Sequence, residues 1–283
     1  MKKLSLKAFA KLNLTLDCLG KREDGYHELC SIMHPVSLCD IVTVERTEKS
    51  GIAVNCGDIK KEDNLVFKAA MAFFETTDIP RDKRSIEITV EKHIPLLSGM
   101  GGGSTDGAAV INILDELYET CLLHEQKIGI AKSLGADVPF SLFSKTAVAT
   151  GIGEKLEFIE DFPQFYFVLV KPGQKGSTGG MYKALDSRGV INGEYTKKAL
   201  SAIKSGDIAK GAGFFKNDFA LCQEVDYISE IGKQAEAFGA LTTSLTGSGP
   251  TCFSVFEDKN NCQSFFEHIS KDFENVFLAK SVG

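Results

Sequence analysis

A glycine-rich segment, Ser98-Gly-Met-Gly-Gly-Gly-Ser-Thr-Asp106, limits the possible folds and functions of this chain more than any other stretch. It lies between a predicted strand, Ile86–Val90, and a predicted helix, Thr105–Tyr118. Glycine adopts positive φ and lets a ligand approach the backbone closely. The first N–H groups of the following helix have no intrahelical partner and carry partial positive charge. The pattern therefore predicts a phosphate-binding loop, in which the hydroxyls of Ser104 and Thr105 can reach phosphate oxygens or Mg²⁺.

Two common nucleotide-binding loops do not fit this segment. A Walker A loop needs Gly-Lys-Ser/Thr after its glycine spacing, and no lysine stands there. A dinucleotide fingerprint that began at Gly99 would have Ser104 in its third glycine position, and no acidic residue follows at a strand end to bind a ribose. A flexible surface loop followed by a helix cap remains an alternative interpretation.

The composition narrows the possible functions. The chain has 283 residues, enough for two modest domains, and its net charge of −6 lacks the basic footprint of a nucleic-acid-binding protein. No apolar run is long enough for a transmembrane helix, and Lys7 and Lys11 interrupt the apolar stretch that a signal peptide would need. The eight cysteines form no CxxC pair, so we expect mainly small buried residues of a reduced cytoplasmic protein.

Periodicity and capping signals predict an α+β chain with two domains. The predicted strands are Leu4–Phe9, Leu12–Leu19, Val36–Glu45, Ile86–Val90, Tyr166–Val170, Leu241–Leu245, Cys252–Phe256 and Val276–Lys280. The predicted helices are Leu65–Glu75, Thr105–Tyr118, Glu125–Leu134, Tyr195–Lys204, Tyr227–Phe238 and Asn260–Lys271. The pattern of strand and helix signals becomes weaker between Gly151 and Pro163, and a domain boundary placed there gives domains 1–155 and 156–283.

Asp137 and Lys11 are the candidate reacting groups. Asp137 follows a predicted helix end, where its carboxylate could accept a proton from an alcohol, or could merely cap the turn before Pro139. Lys11 stands in an otherwise apolar strand, and a buried lysine needs a partner such as Asp137. A place on the solvent face of the strand would explain Lys11 without any function.

Two further segments could line a binding site. Tyr26-His27 follows the charged turn Gly20–Gly25, and an aromatic pair can stack on a base or a sugar. A structural histidine near a strand start is the alternative. Thr246-Gly-Ser-Gly249 is a second glycine loop, which indicates either a tight hairpin or a close approach of its backbone to a ligand.

Together these segments resemble the motifs of the GHMP kinase family, and the resemblance covers nearly the whole chain. It rests on Ala8-Phe-Ala-Lys-Leu-Asn13, Arg22-Glu-Asp-Gly-Tyr-His-Glu28, Ile94–Asp106, Leu134-Gly-Ala-Asp-Val-Pro-Phe140 and Leu245-Thr-Gly-Ser-Gly-Pro250. The departures are small. Phe9 stands where the family usually has proline, Gly107 stands where it usually has alanine, and the segment 173–180 is richer in glycine than is usual.

The resemblance implies a fold and a set of site residues. The fold is the two-domain GHMP kinase architecture, with an N-terminal left-handed βαβ domain that carries the ATP loop and a C-terminal ferredoxin-like domain. Asp137 would be the base and Lys11 its partner. Asn13, Tyr26 and His27 would bind the acceptor substrate, and the Tyr-His pair would cradle its cytosine ring. The implied ATP-binding residues are Pro95, Ser98, Gly99, Met100, Gly101, Gly102, Gly103, Ser104 and Thr105.

The resemblance also implies the reaction. Arg22–Glu28 is most similar to family members that use ATP and Mg²⁺ to phosphorylate the 2-hydroxyl of 4-diphosphocytidyl-2-C-methyl-D-erythritol, a cytoplasmic step of the non-mevalonate isoprenoid pathway. No nucleic-acid or membrane partner is implied. One alternative is another family member, such as a homoserine or mevalonate kinase, which would lack the Gly-Tyr-His sequence. A second is a non-catalytic nucleotide-binding protein, which would need neither Lys11 nor Asp137.

Overall fold

The chain divides into two compact units, each built from separated segments of the sequence. The computed structural model describes residues 2–57, 61–173, 178–188, 194–222 and 227–282. The first unit comprises Met1–Ala10, Cys39–Leu96 and Gly101–Ser144, and the second comprises Lys11–Leu38, Leu97–Met100 and Lys145–Gly283. The predicted domain bounds, 1–155 and 156–283, follow the order of the chain and stay a prediction.

The first unit combines a small sheet with helices. Its strands are the start of β1 (Lys3–Asn13), the end of β3 (His27–Arg46), β4 (Ile52–Asn55) and β5 (Ile86–Glu91). Its helices are α1 (Leu65–Thr76), α2 (Gly102–Tyr118), α3 (His124–Leu134) and α4 (Val138–Phe143). Helix α1 connects β4 to β5, which pair in parallel, and β5 pairs antiparallel with β3. This arrangement is a βαβ unit with an added antiparallel strand.

Helices α1 and α2 form much of the core of the first unit. Asn64 begins α1 as an N-cap, because its side chain accepts a hydrogen bond of 3.0 Å from the N–H of Val66. Phe73 and Phe74 on α1 are almost fully buried. A Cβ atom added at Gly107 of α2 would lie 3.5 Å from the carbonyl oxygen of Leu65, an ordinary contact. An alanine would therefore fit at position 107.

The second unit contains a four-stranded antiparallel sheet. The strands of the whole unit are β2 (Asp17–Lys21), β6 (Ala147–Gly151), β7 (Lys155–Phe158), β8 (Tyr166–Val170), β9 (Thr242–Leu245), β10 (Cys252–Phe256) and β11 (Val276–Lys280), with the end of β1 and the start of β3. Its helices are α5 (Thr178–Arg188), α6 (Tyr195–Lys204), α7 (Ile208–Gly213), α8 (Tyr227–Glu236) and α9 (Lys259–Ile269). The order β11-β8-β10-β9, with helices between β8 and β9 and between β10 and β11, confirms the ferredoxin-like prediction. Residues 174–177 of the glycine-rich segment 173–180 lie outside the described residues.

Several elements match the sequence predictions, and two differ instructively. Helix α6 and strands β10 and β11 have the predicted bounds. Strand β3 begins at His27 instead of Val36, because its first part pairs with β2 and β6. Helix α2 begins at Gly102 instead of Thr105, so two loop glycines belong to its first turn. Because glycine has a low helix propensity, the sequence predicted a later start for this helix.

The cysteines are mostly shielded, as expected, with one exception. Cys121 is exposed, just beyond the end of α2. The other seven are buried or half-buried. Burial raises the pKa of the Cys252 and Cys262 thiols to about 12. These two residues are small core side chains rather than reactive thiols.

His34 is a buried polar residue of the second unit. Its ring nitrogens lie 2.8 Å from the hydroxyls of Thr146 and Ser281, and only 1% of its surface is exposed. Burial lowers the pKa of its imidazole from 6.5 to about 3. The unfolded chain therefore binds a proton between these pH values that the folded chain does not bind, and the stability that this difference provides is lost as the pH falls below 6.5.

We predict that His34 accounts for part of the acid sensitivity of the fold. Between pH 7 and pH 5, the free energy of unfolding of the native chain should fall by about 2 kcal/mol more than that of His34→Gln, since glutamine cannot titrate. Urea denaturation of both proteins at the two pH values measures the difference. If the free energy of unfolding fell equally in the two proteins between pH 7 and pH 5, His34 would not be the source of the acid sensitivity.

Candidate functional site

The glycine segment combines a tight turn with the start of a helix. Positive φ is confined to Gly99 (+82°) and Gly101 (+74°), whereas Gly102 and Gly103 are helical. Gly101 is the N-cap of α2 and, as a glycine, has no side chain with which to cap this end of the helix. The first N–H groups of α2 also have no intrahelical partner, and Gly103 is exposed among them. The start of this helix has the pattern of N–H donors expected of an anion-binding site.

Gly99 packs against the second glycine loop. A Cβ atom at Gly99 would lie 2.7 Å from the carbonyl oxygen of Thr246 and 2.9 Å from that of Gly249. A Cβ atom at Gly247 would lie 2.9 Å from the carbonyl oxygen of Gly99. The N–H of Thr251 also points to the carbonyl oxygen of Ser98, at 3.4 Å. Contact between two backbones therefore explains these glycines, whereas the sequence predicted either a tight hairpin or the approach of a ligand at Thr246–Gly249 and did not predict this contact.

The two hydroxyl residues of the segment differ in their surroundings. Thr105 is buried, and its hydroxyl donates to the carbonyl oxygen of Phe9 at 2.8 Å while its N–H donates to that of Gly101. Ser104 is half-buried, and its hydroxyl has no hydrogen bond among the residues that the structure describes. Ser104 is therefore better placed than Thr105 to present a hydroxyl to a ligand.

A network of charged residues supports the start of α2. Lys92 donates to the carboxylate of Asp40 and, at 2.8 Å, to Oδ2 of Asp106. The other oxygen of Asp40 accepts the N–H groups of His93 and Ile94 at 2.6 and 2.7 Å. Burial raises the pKa of Asp106, and its Oδ1 has no hydrogen-bond partner within the described part of the chain. The sequence analysis did not predict this network, because its members have no common spacing or motif.

Lys11 is buried and belongs to a polar network of the second unit. Its Nζ donates to Oδ1 of Asn13 at 2.6 Å, and only 4% of its surface is exposed, so the solvent-face alternative is wrong. Asn13 in turn donates through its side chain to Ser31 at 2.8 Å and through its backbone to Thr246 at 2.9 Å. Asn13 therefore positions the Lys11 ammonium, a role that the sequence analysis did not assign to it.

Asp137 lies at the N-terminus of α4 in the first unit. It occupies the N-cap position and is half-buried, but its carboxylate does not cap the helix. Its carbonyl oxygen accepts the N–H and the hydroxyl of Ser141 at 3.3 and 3.0 Å. The capping alternative is therefore wrong, and the assignment of Asp137 as the base stays a prediction.

The Arg22–Glu28 segment forms a hairpin turn held by its own side chains. Arg22 pairs with Asp24 at 2.9 Å and with Glu28 at 3.1 Å. Asp24 accepts the N–H of Tyr26 at 3.1 Å. Tyr26 is 61% exposed at the tip of this turn. The charged residues of the segment thus fix the turn and leave the Tyr26 ring accessible.

His27 is held by helix α5, which the sequence analysis did not predict. Its Nε2 lies 2.6 Å from Oδ1 of Asp186, and its ring stacks on that of Tyr182 with a centroid distance of 4.5 Å. Lys21 lies 3.7 Å from the other oxygen of Asp186. The hydrogen bond from His27 lowers the pKa of Asp186, so this carboxyl is ionised at neutral pH.

No group of three or more His, Cys, Asp or Glu residues within the described ranges could hold a metal ion. Among the described helices, none is both long and apolar enough to cross a membrane.

Comparisons with known proteins identify the family. The model of the GHMP kinase N-terminal domain matches residues 64–145, and that of the GHMP kinase C-terminal domain matches residues 199–275. A 4-diphosphocytidyl-2-C-methyl-D-erythritol kinase of Clostridium botulinum (strain Eklund 17B / Type B) is 37% identical, over 99% of this chain and 100% of that protein. A kinase of the same name from Thermoanaerobacter pseudethanolicus is also 37% identical, over 100% of this chain and 97% of that protein.

Solved structures agree with these matches. A crystal structure of 4-(cytidine 5'-diphospho)-2C-methyl-D-erythritol kinase is similar with a TM-score of 0.81 and 28% identity, over 99% of this chain and 100% of that one. Mevalonate kinase of L. major has a TM-score of 0.79 at 14% identity, over 99% and 96% of the two chains, and shares the fold. This chain belongs to the GHMP kinase family and is an ATP-dependent small-molecule kinase.

Proposed function

We propose that this chain transfers the γ-phosphoryl group of ATP to the 2-hydroxyl of 4-diphosphocytidyl-2-C-methyl-D-erythritol, in the cytoplasm, as a step towards isoprenoid precursors by the non-mevalonate route. The observation that carries this proposal is the full-length similarity, at 37% identity, to kinases named for that substrate. The hairpin with the exposed Tyr26 and the anchored His27 supports it, since an aromatic pair suits a cytosine ring.

The start of α2 fits the triphosphate of ATP. Its uncapped N–H groups at Gly102, Gly103 and Ser104 would donate to phosphate oxygens, and the helix dipole favours negative charge there. Gly99 and Gly101 provide the positive-φ turn that leads into this helix. Pro95, Ser98, Met100 and Thr105 would shape the loop around the nucleotide.

Mg²⁺ fits the same region through oxygen donors. The Ser104 hydroxyl and Oδ1 of Asp106, which has no hydrogen-bond partner among the described residues, are oxygen atoms of the type that Mg²⁺ prefers, and phosphates and water would supply its remaining ligands. Bound Mg²⁺ would neutralise charge on the triphosphate during transfer. Lys92 would hold Asp106 in place for this role through its hydrogen bond to Oδ2.

Asp137 and Lys11 are the proposed reacting groups. The Asp137 carboxylate would accept the proton of the attacking hydroxyl, as the catalytic aspartate does in protein kinases. The Lys11 ammonium would stabilise negative charge that develops on the transferred group, and its hydrogen bond to Asn13 fixes the position of Nζ.

A transfer assay tests the whole proposal. Labelled ATP should transfer its γ-phosphate to 4-diphosphocytidyl-2-C-methyl-D-erythritol much faster than to homoserine or mevalonate in parallel reactions. Equal or faster transfer to either of the other alcohols would refute the substrate assignment. Absence of transfer to all three would refute the proposed reaction.

We predict that Asp137→Asn lowers kcat by about 10²–10⁴-fold, the usual loss when a general base is removed. The Kd of ATP should change by less than about threefold, since the amide has nearly the same shape as the carboxylate. Asp78→Asn removes an exposed carboxylate from the same unit and serves as the control. A variant at position 137 that kept more than about a tenth of the native kcat would show that Asp137 is not the base.

We predict that Gly103→Val raises KM for ATP by about ten- to a hundredfold, because a branched side chain would cover the first N–H groups of α2. Among the described residues, a Cβ atom at Gly103 meets only the Leu65 side chain, at 3.4 Å, so the variant should fold. Gly107→Ala, on the same helix, is the control and should leave KM unchanged. A native KM for ATP in a folded Gly103→Val protein would show that the phosphates do not bind at the start of α2.

A further inference from the structure

Two contacts hold the His27 ring in one orientation. Asp186 lies 2.6 Å from Nε2, and the Tyr182 ring stacks on one face of the imidazole with an angle of 23° between the planes. The Tyr182 ring meets the Phe219 ring edge-on at 4.9 Å, which ties the stack to the core of the second unit. His27 itself is 8% exposed, so the ring has little freedom to rotate.

When the imidazole is neutral, the contact with Asp186 also determines which ring nitrogen carries the proton. A carboxylate only accepts hydrogen bonds, so Nε2 must be the donor in this contact. In a neutral imidazole the other nitrogen, Nδ1, is then a hydrogen-bond acceptor. No hydrogen bond to Nδ1 is found among the residues that the structure describes. The ring therefore retains an acceptor nitrogen for a ligand.

We propose that Asp186 is a positioning residue that sets the base specificity of this kinase, by holding His27 with Nδ1 as an acceptor for the exocyclic amino group of cytosine. Uracil carries a carbonyl oxygen at that position, which would face Nδ1 as a second acceptor. Two facing acceptors cannot form a hydrogen bond, so the pair discriminates against uridine. This inference rests on the proposed function and adds to it the residue that orients His27, the side chain that would recognise the base.

Replacement of Asp186 by asparagine is the discriminating change. The Asn amide can accept from Nε2–H or donate to an unprotonated Nε2, so it no longer selects one tautomer. Lys21→Gln is the matched control, because it removes the 3.7 Å neighbour of Asp186 and leaves the contact with His27 intact.

We predict that the native enzyme has a KM for the cytidyl substrate at least about tenfold below that for its 4-diphosphouridyl analogue, the consequence of one unmatched hydrogen bond. Asp186→Asn should bring this ratio close to one with kcat for the cytidyl substrate nearly unchanged. Lys21→Gln should keep the native ratio. Calorimetric titration with CDP and UDP, the corresponding fragments, should give the same pattern without turnover.

The outcomes separate this inference from the proposed function. A native enzyme that does not phosphorylate the cytidyl substrate refutes the function itself. A native enzyme that phosphorylates it, together with an Asp186→Asn variant that keeps the native base preference, refutes only the role of Asp186. A loss of kcat at equal base preference would also overturn it, because that result marks a purely structural residue.

Discussion

The close contact between two glycine loops determines where several candidate site residues lie in the second unit. Gly99 fits against the backbone at Thr246 only because it has no side chain. The backbone N–H of Lys11 donates to the carbonyl oxygen of Met100 in the first of these loops, and that of Asn13 donates to the Thr246 hydroxyl in the second. Segments far apart in the sequence are thereby joined, and the buried Lys11 ammonium obtains a fixed position.

The features that the sequence predicted well depend on local signals. Strands β10 and β11 are short, mostly apolar runs, and the buried residues of helix α6 recur every three positions, so their bounds were predicted correctly. The N-cap of α1 at Asn64 is likewise a local signal, because this capping contact joins residues only two positions apart. The start of α2 was misplaced, since two glycines in a first helical turn contradict intrinsic propensity and are stabilised by the surrounding fold.

The polar pairs that were not predicted depend on contacts between distant residues. Asp40 and Lys92 are 52 positions apart, and His27 and Asp186 are 159 positions apart. No periodicity or spacing links such partners, and each residue alone looks like an ordinary surface charge. The resemblance to a kinase family named His27 as a site residue, but only the three-dimensional structure supplies the carboxylate that orients its ring.

The exposed Cys121 makes the chain suitable for site-selective fluorescent labelling without mutagenesis. It lies just beyond the end of α2, about 25 Å along the helix axis from the glycine segment at the other end. The remaining thiols are buried or half-buried, and those with raised pKa values react slowly with maleimides. A dye at Cys121 would therefore be attached close to the C-terminal end of α2, far from the glycine segment at its other end, and its emission would report on the surroundings of that helix end in single-molecule experiments.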